Sequence, residues 1–199
     1  MDPRPLTLQG RHVRLVPMTL AHAPELLEAL GRDPSIWRWL NIEPPITPAA
    51  MEAYIASALE AQASGSTVAF TQIAEGEGRA VGATRYLDIK RQDLGLEIGS
   101  TWIGRPWQRT AINTEAKYLL LRHAFEELGA ARVQLKTDAR NLQSQAAIER
   151  LGAVREGVLR KYQRTRGDFI RDTVMFSVVA DEWPAVRARI EAIEAKLAG

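Results

Sequence analysis

The sequence predicts an α/β protein: a mixed, mostly antiparallel sheet of about seven strands with helices on its faces. Two observations predict it. Val68 to Ala74 and Ala80 to Ile89 read as two strands flanking the turn Glu75-Gly76-Glu77-Gly78-Arg79. Leu96 to Ile103 reads as a strand, Gly104 and Pro106 break it, and Ile112, Ala116, Leu119, Leu120, Ala124 and Leu128 follow at helical spacing up to Gly129. A meander that hands over to strand–turn–helix units is most simply housed in one sheet covered by helices.

Taken in order, His12 to Val16 alternate as a strand ended by Pro17. Thr19 is placed to cap a helix over Leu20 to Leu30, with Gly31 as its stop. Ile36-Trp37-Arg38-Trp39-Leu40 then runs into the break at Pro44 and Pro45. Trp37 and Trp39 in such a loop either pack onto the core or line a substrate groove. Thr47 and Pro48 have the character of a cap and first turn, for a helix running to about Ala63. Arg91 to Asp93 give a polar break before the strand at Leu96. Beyond Gly129 come a strand from Arg132 to Thr137 and a short helix from Asn141 to Leu151, stopped by Gly152. Strands near Ala153 to Leu159 and Arg171 to Val179 bracket a hairpin turning at Gly167-Asp168, and a last helix spans Glu182 to about Leu197. With no repeat, low-complexity tract or linker, residues 1–199 read as a single domain with that helix packed on it.

Composition narrows the function. A chain of 199 residues with 46% hydrophobic content can bury a proper core. Lys plus Arg number 26 against 24 Asp plus Glu, too small an excess to argue for nucleic acid despite a pI of ≈ 9.1. The absence of cysteine excludes disulfides, thiolate metal sites and a thiol nucleophile. His12, His22 and His123 form neither an i, i+4 pair nor an H-E-x-x-H arrangement, so no metal is expected. Met1 to Pro5 opens no apolar signal core and no run approaches a membrane-spanning length, which sets the expectation of a cytoplasmic protein.

The chemistry centres on the turn from Trp107 to Asn113. Gln108, Arg109, Thr110, Ala111, Ile112 and Asn113 bring successive backbone N–H groups to a helix N-terminus, where free donors and the positive dipole end can hold a phosphate. The bland alternative is a strand–turn–helix unit without a ligand. Neither G-x-G-x-x-G nor G-x-x-x-x-G-K-[ST] is present, which argues against a Rossmann or P-loop site. Glu97 points to the sheet face opposite Leu96 and Ile98. In a cleft it could act as a general base, and elsewhere it is an exposed strand residue. Asn141 and Ser144 have the spacing of an N-cap and the third helical position. Arg155, Arg160, Lys161, Arg164, Arg166 and Arg171 cluster around the last hairpin, by default a solvated one and only a weak nucleic-acid patch.

Glu97-Ile98-Gly99 followed by Trp107-Gln108-Arg109-Thr110-Ala111-Ile112-Asn113-Thr114-Glu115-Ala116-Lys117 resembles the core of the GCN5-related N-acetyltransferases, and more narrowly the RimJ- and RimL-like group. Similarity continues through Gly10 to Leu15, Asn141 to Ser144, Ala147-Ile148, Leu151 to Ala153, Glu156 to Arg160, Arg171-Asp172 and Glu182-Trp183, covering nearly the whole chain. The resemblance implies that family's fold and an N-acetyltransferase activity with acetyl-CoA as co-substrate. The acceptor would be a primary amine, on a protein N-terminus or a small molecule. It implies a pyrophosphate on the amides of Gln108 to Asn113, pantetheine along Trp102 and Ile103 and against Asn141, Glu97 as base, and Ser144 as the acid for the departing thiolate. The family's turn reads [R/Q]-x-x-G-x-[G/A], and here Ala111 and Asn113 replace the small residues, so a positive φ required at Ala111 would strain it. The basic hairpin would then dock an acidic acceptor or the cofactor's 3′-phosphate, or pair across a homodimer. The rival expectations are an acyl-CoA sensor without catalysis and a ribosome- or RNA-associated protein.

Overall fold

The structure, a computed structural model, describes residues 1–31 and 33–197. Its strands are β1 (Leu8–Gln9), β2 (Val13–Pro17), β3 (Val68–Ala74), β4 (Arg79–Lys90), β5 (Gly95–Ile103), β6 (Arg132–Asp138), β7 (Val154–Arg164) and β8 (Ile170–Val179). Its helices are α1 (Ala23–Leu30), α2 (Pro48–Ala63), α3 (Ala111–Arg122), α4 (Leu142–Leu151) and α5 (Trp183–Leu197). The strands form one eight-stranded sheet in the order β1-β2-β3-β4-β5-β6-β8-β7, in which only β5 and β6 run parallel. The strand beyond the expected seven is β1, two residues too short to leave a periodic signal.

Each face of the sheet carries its own core. Leu26 and Leu30 of α1, Met51, Tyr54 and Ile55 of α2, and Trp37 and Trp102 fill one side. On the other, α3, α4 and α5 contribute Leu119, Leu120, Leu151 and Ile190 against Leu96, Ile98, Val133 and Phe176. From Ile112 to Leu121 every residue of α3 except Asn113 is buried. Tyr118 of α3 donates a 2.7 Å hydrogen bond to Glu191 of α5, which packs over it. Glu115 is buried for a structural reason: its carboxylate accepts the backbone N–H groups of Arg11, His12 and Val13 at 2.7, 2.6 and 2.7 Å. These bonds fasten the entry to β2 onto α3.

Boundaries shift where local geometry intervenes. The helix expected from Leu20 opens with a 3-10 turn at Leu20–His22, and the one expected to reach Leu128 finishes in a π turn over His123–Glu127. In the last hairpin β7 extends to Arg164, five residues past the expected end. Gly157, at φ 158, and register shifts against β8 break its alternation, so the period-2 signal fades while pairing continues.

Candidate active site

A fork in the sheet creates the site. β5 and β6 pair only at Gly95–Arg132, Leu96–Val133 and Glu97–Gln134. Past Glu97, β5 stays with β4 while β6 follows β8 as far as Asp138–Thr173, and the two strands part. A bulge assists the parting. Between the pairs Arg85–Gly99 and Ala83–Trp102, β5 carries one residue more than β4, and Ser100 takes φ 48. The edge of β5 that faces β6 therefore has no strand partner beyond Glu97. A cavity of about 470 Å³ fills the fork, walled by Trp102 and Ile103, Lys136, Asn141 and Ser144, and Trp39.

Glu97 is 3% exposed at the root of the fork. Its Oε2 accepts Lys136 Nζ at 2.8 Å and Gln134 Nε2 at 3.0 Å. Its Oε1 faces Gly99, where an added Cβ would stand 2.7 Å away, and has no hydrogen-bond partner among the described residues. The glycine two residues on thus leaves room on the same sheet face for the carboxylate to lie along the strand.

At the other end of the cavity the chain turns into α3. Gln108 Nε2 donates to the Ile103 carbonyl at 3.0 Å and braces the turn. Thr110 caps the helix, its Oγ1 accepting the Ile112 N–H at 3.3 Å and donating to the Trp107 carbonyl at 2.8 Å. The backbone N–H groups of Arg109, Thr110, Ala111 and Asn113 find no acceptor among the described residues. The left-handed position is Arg109, at φ 62, not Ala111, which begins the helix. The expected strain at Ala111 is thereby corrected: the turn's conformational demand falls two residues earlier.

Gln108, Arg109 and Asn113 border the cavity, whereas Ile112 is a core residue on the far side of α3. Asn141 Oδ1 caps α4 by accepting the Ser144 N–H at 3.1 Å, and both residues line the cavity. The two tryptophans separate. Trp39 borders the cavity, while Trp37 is fully buried with its ring 4.9 Å from Trp102 and 5.4 Å from Tyr54, a core residue rather than a groove residue. Among the described residues no group of His, Cys, Asp and Glu is placed to hold a metal ion.

Two cationic residues of the site were missed or misjudged in the sequence. Lys117 of α3, 7% exposed, lines the cavity and donates at 2.6 Å to Thr101 Oγ1, itself 2.8 Å from Thr84 Oγ1. Burial lowers its pKa to about 7, against a partial counter-pull from Glu97. The available signal was a lysine inside an otherwise buried helix. Arg171, expected on a solvated hairpin, is 6% exposed and lines the same cavity. Its neighbour in sequence terms, Arg166, is drawn in as well, donating to the Trp37 carbonyl at 3.2 Å.

The site thus joins a strand fork, a helix N-terminus with free amides and a buried carboxylate at the root of the fork. Residues 12–154 match the family model described as acetyltransferase (GNAT) domain. This chain is a GNAT acetyltransferase. The solved GCN5-related N-acetyltransferase from Brucella melitensis is 31% identical, with 96% of this chain and 86% of that one covered and a TM-score of 0.90. A T. thermophilus protein carrying an acetyltransferase name is 42% identical over 96% of this chain and 98% of its own, with a TM-score of 0.87. The ribosomal-protein-S5-alanine acetyltransferase of Vibrio fischeri shares the fold at 19% identity, covering 89% and 98%, with a TM-score of 0.73. No curated protein matches the chain. As a GNAT acetyltransferase it belongs with enzymes that transfer an acyl group from acetyl-CoA.

Proposed function

We propose that this GNAT protein is an acetyl-CoA-dependent N-acetyltransferase in which one domain of residues 1–199 acetylates a primary amine by direct attack on the thioester. The observation that carries the reading is the buried Glu97 with its free Oε1 at the root of a fork whose β5 edge is unpaired. Pantetheine adds to that edge along Trp102 and Ile103, as an extra strand would. The pyrophosphate takes the amides from Arg109 to Asn113, with the α3 dipole behind them. Gln108 and Ile112 serve indirectly, the one bracing the turn and the other seating the helix.

The neutral amine forms the new C–N bond at the thioester carbonyl, and a strand N–H near the bulge stabilises the developing oxyanion. Glu97 Oε1 takes the ammonium proton. The C–S bond then breaks, and Ser144 gives its hydroxyl proton to the CoA thiolate. No covalent enzyme intermediate is involved. The acceptor enters on the Glu97 face, past Trp39. A protein N-terminus of the kind the RimJ- and RimL-like group modifies and a small-molecule amine both suit that opening.

The reading is tested by calorimetry with acetyl-CoA, followed by CoA release on mixing with a panel of amines and peptides. Binding with amine-dependent release is expected. Binding without release on any amine would favour an acyl-CoA sensor, and no binding at millimolar co-substrate would overturn the reading. The RNA-associated alternative keeps Arg155, Arg160 and Lys161 on the exposed hairpin, whereas Arg164 pairs with Asp168, Arg166 turns toward Glu43 and Trp37, and Arg171 is buried. Salt-sensitive retention on RNA would support it, and its absence at low salt would dismiss it. No described helix is long and apolar enough to cross a membrane.

A further inference from the structure

The register of the sheet puts Glu97, Gln134, Lys136 and Asp138 on one face, together with Ser177, Met175, Thr173 and Arg171 of β8. This is the face that α1 and α2 cover on the other half of the sheet. Here it is the floor of the cleft, and its charges nearly all cancel in pairs. Lys136 pairs with Glu97 at 2.8 Å, Arg140 with Asp138 at 2.7 Å, and Arg132 with Glu156 at 2.5 Å.

Arg171 lines the cavity without such a pair, as does Lys117 of α3, which among the described residues donates only to Thr101. The Nε of Arg171 donates to Thr173 Oγ1 at 3.1 Å and its Nη1 to the Trp39 carbonyl at 3.5 Å, both neutral acceptors, and it has no ion-pair partner among the described residues. At 6% exposure, burial depresses its pKa below the ordinary guanidinium range, while Asp138 and Glu97 pull the other way from a distance. A guanidinium held out of water without a counter-ion is costly, and a planar fork of donors fits a carboxylate best. Lys117, with its pKa lowered to about 7, can shed its charge, whereas the Arg171 guanidinium keeps its own, and a carboxylate supplies the counter-charge in the geometry of that fork.

Resting on the transferase reading above, we propose that Arg171 anchors a carboxylate of the acceptor, so that the amine acetylated here belongs to a carboxylate-bearing molecule. The carboxylate supplies the ion partner that Arg171 lacks among the described residues. The amine end of the same molecule then points back along the face toward Glu97. Trp39, whose carbonyl already receives Arg171, closes the subsite from the side of the loop before α2.

The test compares β-alanine, 4-aminobutanoate and several dipeptides, each beside its own amide, as acceptors for the full-length protein saturated with acetyl-CoA. The carboxylates are expected to be favoured by about tenfold or more in kcat/KM, the range of a charge-assisted hydrogen-bonded contact. Arg171→Gln should collapse that ratio toward one through KM, and Arg171→Lys should restore part of it. Circular dichroism and acetyl-CoA affinity report whether each variant folds. A role confined to holding the Trp39 loop would lower both arms together and leave the ratio intact, which overturns the proposal. A wild-type protein that acetylates only the amides, or both arms equally, overturns it while the transferase reading stands. Failure to bind acetyl-CoA overturns both.

Discussion

Glu97 and Lys136 form a 2.8 Å ion pair across the last point at which β5 and β6 stay together. The pair leaves one carboxylate oxygen, Oε1, for the cavity. It also fixes the carboxylate against the strand, so that the proposed proton acceptor is in place before any substrate arrives.

Replacing Glu97 by Gln keeps the shape and removes the proton acceptor. The expected outcome is a loss of about 10²–10⁴ in kcat with acetyl-CoA affinity close to wild type, read by steady-state CoA release beside calorimetry. Unchanged turnover across pH would remove Glu97 from the chemistry.

Ser144→Ala should slow acetyl transfer by roughly one to three decades, in the range of a lost proton-transfer group. Its backbone N–H still reaches Asn141 Oδ1, so α4 keeps its cap and the melting temperature should stay close to wild type. A wild-type rate would clear the hydroxyl of that role.

Arg109 holds φ 62 at the turn before α3, where a β-branched side chain fits poorly. Arg109→Val is expected to weaken acetyl-CoA binding more than Arg109→Gly, because glycine keeps the turn and loses only the guanidinium. Equal losses in calorimetry would mean that the charge alone matters.

Lys117 carries a pH signature. Its pKa falls from 10.5 unfolded to about 7 folded, so between these values the unfolded chain binds more protons and stability rises with pH. Below about pH 7 that lysine is charged in both states and its burial is a constant penalty on the order of a few kcal/mol. Lys117→Met should therefore be more stable than wild type at pH 6, with the gap narrowing toward pH 10. Urea denaturation at both ends checks this, and a gap independent of pH would contradict it.

Glu115→Ala leaves three backbone N–H groups without their acceptor, that of Val13 buried and those of Arg11 and His12 partly so. A loss of about 3 kcal/mol or more is expected in urea titration. Hydrogen exchange should accelerate first at Arg11 to Val13. A loss under about 0.5 kcal/mol, the size of an ordinary surface change, would show the carboxylate to be dispensable.

The sequence by itself determined the order and type of the main elements, the two-residue β1 apart, because each announces itself locally. Pro48 after Thr47 starts α2, Gly152 at φ 102 stops α4, and the run from Trp107 marks the turn into α3. Asn141 as a cap and Glu97 as a residue facing away from Leu96 follow from the same short-range rules. Tertiary structure alone decided what depends on distant partners. Trp37 and Trp39 sit two residues apart, yet one is enclosed by Tyr54 and Trp102 and the other borders the cleft. Arg171 looks like a surface charge in any local window, and Lys117 is marked only by the apolar helix around it. Only the packing of α3 against the sheet and the pairing of β8 beside β6 take them out of water, and burial is a property of the assembled fold that no short stretch of sequence carries.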